Sequence, residues 1–184
     1  CAIRTIMMMT HHQMVQSSSE GLYDGEYRQD GMMMDWKEIQ TQADIDALDQ
    51  EMCGFHDSCI VGMEYKSGSF VNRDHSMTMT WRPEDYLLLL TFETQYSDNV
   101  LELLFSGLRR IHLAGLMRDY DCSIMSGYLS FHDAIIPDDP RRMIVWADSD
   151  WFDPDRIGAY ASASDEGTMT YIVAEGLKWR WRKW

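Results

Sequence analysis

The hydrophobic period of this chain changes at Gly54, and no other feature constrains its fold as much. Before Gly54, the apolar residues Ile45, Leu48 and Met52 recur three and four apart, the spacing of one helical face. Thr41-Gln42-Ala43-Asp44 has the form of a capped helix start, with Thr41 as N-cap and Asp44 near the positive end of the helix dipole. Gly54 closes that helix as its C′ residue. After Gly54 the period is two. Met77, Met79 and Trp81 alternate with Ser76, Thr78 and Thr80, which predicts a half-buried strand over residues 75–82, and residues 59–66 also read as a strand.

Further strands are expected over residues 86–96, 100–112, 121–136 and 141–147, punctuated by turns at Ser67-Gly68, Pro83-Glu84-Asp85, Ser97-Asp98-Asn99 and Pro137-Asp138-Asp139-Pro140. Gly107 marks a bulge. Asp153-Pro154 opens a short helix, and the chain ends as a strand or a hairpin around Gly176. Strands joined by short turns pair antiparallel. The fold class is therefore α+β, mostly β: an antiparallel β-sandwich or strongly curved sheet of seven or eight strands, with one main helix near residues 41–53 packed at an edge or end. There is no βαβ rhythm, no G-x-G-x-x-G and no G-x-x-x-x-G-K-[ST], which argues against a nucleotide-binding α/β fold. Residues 35–184 form a single β-rich domain. Residues 1–34, with Met7-Met8-Met9, His11-His12 and Met32-Met33-Met34 but no sustained period, are expected to be an N-terminal extension, flexible or non-native. A leading Cys1 fits a truncated chain better than a lipidated one.

The chain carries 30 Asp and Glu against 16 Lys and Arg, a net charge of −14. That balance argues against nucleic-acid binding, which needs a basic footprint, and suits a basic protein partner. The cysteines Cys1, Cys53, Cys59 and Cys122 form no C-x-x-C pair and are too sparse for a disulfide framework, so they read as reduced thiols in a cytoplasmic protein. No apolar run reaches the roughly 18 residues of a membrane span.

The triplet His56-Asp57-Ser58 brings a proton acceptor, a carboxylate and a hydroxyl together at the helix–strand junction. His56 is a candidate general base and Ser58 a candidate nucleophile. Yet neighbours on an extended chain face opposite ways, so His56 and Asp57 are not expected to pair, and no G-x-S-x-G elbow surrounds the serine. The structural expectation is that Asp57 or Ser58 bonds the loop backbone while His56 packs on the sheet. A helix followed by Phe55-His56-Asp57-Ser58 and a strand running to about Tyr65 resembles small bacterial β-rich proteins of the toxin-immunity families. The resemblance implies an inhibitor that binds a toxin. His56 and Asp57 match the motif, and the resemblance gives neither a catalytic role.

A second triplet, Phe131-His132-Asp133, precedes Ala134-Ile135-Ile136 much as the first precedes Ser58-Cys59-Ile60. If the domain is two related halves, His56, His132 and Asp133 are candidate ligands of one divalent metal. Asp148, Asp150 and Asp153 offer hard oxygen ligands for calcium, although Phe152 breaks the EF-hand spacing and Asp153 also suits a helix N-cap. At the C-terminus, Trp179 and Trp181 share one face of a strand and Arg180 and Arg182 the other, a candidate binding stripe. The competing expectation is that the tryptophans close the core and the arginines pair with the chain's own carboxylates. Taken together, the sequence points to a non-enzymatic protein-binding module without a cofactor. The alternative is a metal-dependent or His/Ser-based hydrolase using the two His-Asp pairs.

Overall fold

The computed structural model describes residues 35–114, 123–160 and 168–183, and the expectations for residues 1–34 and for Cys122 lie outside them. β1 (Lys37–Ile39) leads into α1 (Gln42–Glu51). The Asp44 N–H donates to the Thr41 hydroxyl, and the Thr41 N–H donates to Asp44 Oδ2 at 2.8 Å, so the capping box is complete. The Thr41 hydroxyl, followed by the Gln40 and Thr41 N–H groups, holds the Asp44 carboxyl below its ordinary value. Ile45, Leu48 and Met52 are all buried, as their spacing predicts. Each contributes about 1.5–3 kcal/mol by leaving water, and this apolar face holds α1 in place where propensity alone would not.

The remaining elements are β2 (Ser58–Lys66), β3 (Phe70–Val71), β4 (Met77–Thr78), β5 (Leu87–Thr94), β6 (Ser97–His112), β7 (Ser123–Ile124), β8 (Tyr128–Asp133), β9 (Arg142–Ala147), α2 (Ile157–Tyr160) and β10 (Tyr171–Lys183). Apart from the β3–β4 hairpin they form one antiparallel sheet in the order β7-β2-β5-β6-β10-β9-β8, with β1 also paired to β10. The sheet curls into a half-barrel, so the strongly curved form of the expected fold is the one adopted. α1 packs against β1 and the edge strand β8, at an edge of the sheet as expected. Its apolar residues share a core with Leu90, Phe92, Leu101, Leu103 and Trp146, inside the curl. A second cluster covers the other face of β9 and β10, where Phe152, Ile157 and Tyr160 pack on Val145, Tyr171 and Val173.

The curl has a local cause. Phe105 and Leu108 on β6 both face the inner core although they are three apart, and so do Ala174 and Leu177 on β10. Alternation therefore slips on both strands at the same place. Gly107, with φ +62°, leaves room for the Glu175 side chain, and a Cβ on Gly176 would meet Ser106 Oγ at 2.7 Å. Two glycines on adjacent strands bend the sheet here, and Arg109 is passed over in the pairing, which is the bulge expected near Gly107.

Four expectations are corrected. Residues 121–136 are not one strand: Ser123–Ile124 pair with β2 and Tyr128–Asp133 with β9, at opposite ends of the sheet, because the chain breaks around Gly127, which packs against the Phe55 ring. Residues 75–82 are not a half-buried strand: only Met77–Thr78 pair, with β3 alone, and Met77, Met79 and Trp81 are exposed on a hairpin that leaves the sheet between β2 and β5. Residues 97–99 belong to β6, because Thr94 pairs with Ser97 and the turn is Gln95-Tyr96. The chain end is one continuous strand through Gly176, since β6 pairs with it from Tyr171 to Lys183. Cys53 is a free thiol, and no described helix is long and apolar enough to cross a membrane.

Candidate functional site

After α1 the backbone turns left-handed. Cys53, Gly54 and Phe55 have φ of +48°, +67° and +62°, and Asp57 has +54°. Cys53, one residue before the expected Gly54, takes the first left-handed position beyond the C-cap Met52. Each non-glycine residue held this way costs about 1–2 kcal/mol, so the surroundings must over-determine the turn. Phe55 does part of this. It is fully buried, with ring centroids 5.7 Å from Phe92 and 5.9 Å from Trp146. The carbonyls do the rest. Met52 O accepts from the Phe55 N–H and the Tyr96 hydroxyl, Cys53 O from the His56 N–H, and Gly54 O from the Gly127 N–H at 2.7 Å. Phe55 O accepts from Ser58 Oγ, and Asp57 O from the Gln95 N–H. A Cβ on Gly127 would lie 2.8 Å from the Phe55 ring, so that position admits only glycine. Desolvation, ahead of the nearby Cys53, Asp57 and Glu51, pushes the Tyr96 phenol up to about 12.

This turn overturns the expectation that His56 and Asp57 diverge. Strand alternation does not apply at φ +54°, and His56 Nδ1 lies 2.9 Å from Asp57 Oδ2, both side chains half-exposed. Ser58 behaves differently. It is 4% exposed, donates its hydroxyl to Phe55 O at 2.6 Å and starts β2 between Thr94 and Ile124. The hydroxyl is committed to backbone and is not presented to His56 as a nucleophile. The His56–Asp57 pair can exchange a proton with water, but it lines neither of the two clefts described below.

The other sequence candidates are dispersed. His132 lies on β8 opposite Met143, stacked on Tyr128, with Nε2 2.6 Å from the Tyr128 hydroxyl. Burial lowers its pKa, with Asp133 and Asp155 opposing. Asp133 is exposed at the end of β8. Asp148 accepts from the Thr170 N–H at 3.0 Å, Asp153 caps the turn before α2 through the Asp155 N–H, and Asp150 is exposed. Among the described residues no three His, Cys, Asp or Glu form a group able to hold a metal ion, so His56, His132, Asp133, Asp148, Asp150 and Asp153 are not gathered into one ligand set. Trp179 and Trp181 are buried in the inner core, while Arg180 and Arg182 both bind Glu102, at 2.7 and 2.6 Å. The C-terminal stripe is therefore engaged within the fold, because β10 is an interior strand paired along its length with β6, and only Arg182 of the four stays exposed.

Two kinds of surface escaped the sequence reading. One is the β3–β4 hairpin, where Val71, Met77, Met79 and Trp81 are 64%, 73%, 57% and 84% exposed. Its base and tip are tied down. The Asn72 amide donates to Ser76 Oγ and Thr78 Oγ1, Thr80 Oγ1 donates to Asp85, and the Tyr86 hydroxyl donates to Thr80 O at 2.9 Å. The other kind comprises two clefts shaped by the curl. A cleft of about 250 Å³ lies beside Val61 and Met63 of β2 and reaches Leu113 and Thr170. A larger one, about 430 Å³, opens between β1 and the start of β9. The exposed hairpin residues gave a strand signal in the sequence, and only their exposure distinguishes them from core. Comparison with protein-family models, with curated proteins and with solved structures finds no match for the chain.

Proposed function

We propose that this chain is a non-enzymatic binding protein that captures a basic protein partner on the β3–β4 hairpin. In its specific form, suggested by the Phe55–Tyr65 resemblance, the partner is a toxin that the chain neutralises. The observation that carries the reading is the hairpin itself: five large apolar side chains, Phe70, Val71, Met77, Met79 and Trp81, exposed on a hydrogen-bonded frame. Scattered exposed apolar residues are ordinary, whereas a group on one projecting element marks an interaction site. A fixed frame also lowers the ordering cost of binding. The net charge of −14 favours encounter with a basic partner over long range. The hydrolase alternative has less support, since Ser58 is buried with its hydroxyl given to Phe55 O.

The test uses affinity capture from the native host followed by purified-partner titration. Trp81→Asp and Met77→Asp are expected to weaken the purified partner at least about tenfold, the loss of a central apolar anchor, with unfolding midpoints unchanged. His56→Ala should bind normally. A partner that binds both hairpin variants as tightly as wild type rules out the hairpin as the site. Turnover in a hydrolase screen that disappears in folded His56→Ala rules out the binding-module reading altogether.

A further inference from the structure

We infer that the cleft between β1 and β9 is a binding site for a small carboxylate carrying an apolar body, with Arg142 as the residue that holds the carboxylate. The site follows from the corner in the sheet. One edge of β10 pairs with β9 over Tyr171–Ala174 and with β1 over Leu177–Trp179, leaving Glu175 and Gly176 with neither strand beside them. β9 continues to Arg142 by pairing with β8 alone. The two strands thus part, and the space between them is the cleft of about 430 Å³, within the range of small-molecule sites.

Arg142 stands at this fork in an unusual condition. Its guanidinium carbon is 3.8 Å from the centroid of the Phe131 ring, and it forms no ion pair among the described residues, although Asp133 lies opposite it in register. The other arginines close to this corner are engaged: Arg109 with Asp139, and Arg141 with both Asp139 and Glu175. Stacking uses the face of a guanidinium and leaves its N–H edge for a planar acceptor. A carboxylate matches that edge with two parallel hydrogen bonds. The walls select the rest of the ligand. Glu38 and Glu175 line the cleft with their charges already met, Glu38 by Lys178 at 3.4 Å and Glu175 by Arg141 at 2.7 Å, so among the described lining residues Arg142 is the cation left for one carboxylate. Phe131, Ile39 and Leu177 supply the apolar surface for the ligand's body.

This chemistry belongs equally to a free acyl amino acid and to the C-terminus of a peptide. The experiment is an NMR titration of the full chain with N-acetyl-leucine, with its neutral amide, and with a hexapeptide ending in leucine with a free carboxylate. Saturable shifts are expected at the amides of Phe131, Arg142 and Gly176 with N-acetyl-leucine and none with the amide. Arg142→Gln should weaken binding at least about tenfold, the scale of a lost charge-assisted pair, and Arg142→Lys should fall between. Tighter binding of the hexapeptide assigns the site to a chain terminus, and weaker binding assigns it to a free acid. Equal binding of acid and amide, normal binding by folded Arg142→Gln, or no saturable shift at about 10 mM, ten times a millimolar Kd, overturns the inference. The site is independent of the hairpin, so Trp81→Asp should leave these shifts unaltered.

Discussion

The tripeptide Phe-His-Asp occurs twice, and the two copies behave in opposite ways. At Phe131-His132-Asp133 the backbone is regular strand, so the side chains alternate. Phe131 packs toward the inner core, and His132 turns to the other face to meet Tyr128. At Phe55-His56-Asp57 two of the three residues have positive φ, Phe55 is sunk into the core, and His56 and Asp57 meet at 2.9 Å. The same three side chains give a pair in one place and none in the other. What differs is the backbone that carries them, and the long-range contacts that fix that backbone.

The comparison breaks most visibly at the phenylalanines. Phe55 contacts both Phe92 and Trp146 and anchors a turn that costs energy to form, so Phe55→Ala is expected to destabilise by about 3–5 kcal/mol. Phe131 is half-buried on a strand that is stable without it, so Phe131→Ala should cost about 1–2 kcal/mol. Urea melts of both variants check the ordering. Equal losses would mean that the left-handed turn does not depend on Phe55 for its anchorage.

The outcome of these two sites shows where sequence reading succeeds and where it stops. The Thr41–Asp44 cap, the Ile45-Leu48-Met52 face and the strands β2, β5, β6, β9 and β10 were legible because each is set by nearby residues with a definite period, whereas the three-residue β1 and the split between β7 and β8 carry too short a pattern to read. The bulge near Gly107 was legible too, since a glycine in a strand has few other uses. The pairing of His56 with Asp57 was not legible. It needs Cys53 and Phe55 to be left-handed, which no propensity favours and which Gly127 and Tyr96 secure from far along the chain. Met77, Met79 and Trp81 misled for a related reason: alternation reports that a strand could be half-buried, and only the layers of the fold decide whether anything covers it.

A smaller effect sharpens the first site. Asp57 combines a positive φ with a half-exposed ion pair to His56, and the two contributions oppose each other on substitution. Asp57→Ala loses the side chain and keeps the backbone strain, so it should cost about 1 kcal/mol. Asp57→Gly loses the same side chain but relieves the strain, and it should be within about 0.5 kcal/mol of wild type. If the glycine variant is as unstable as the alanine one, the His56–Asp57 contact stabilises the turn more than its exposure suggests.

The smallest expected effect lies at the second histidine and concerns pH. Burial holds the pKa of His132 below its ordinary 6.5, while Asp133 and Asp155 pull the other way. A depressed histidine pKa means that the unfolded chain binds the proton more readily than the folded one. The contribution of His132 is therefore complete above pH 6.5 and is lost as pH falls through its lower folded value. The ring is only partly buried and keeps contact with solvent, so screening keeps the loss to about 0.5 kcal/mol or less. Replacing it by His132→Gln should flatten the fall in urea midpoint between about pH 7.5 and 5.5 by that amount. The same slope in His132→Gln as in wild type would show that protonation costs this site nothing, and that the Tyr128 hydroxyl serves the charged imidazole as well as the neutral one.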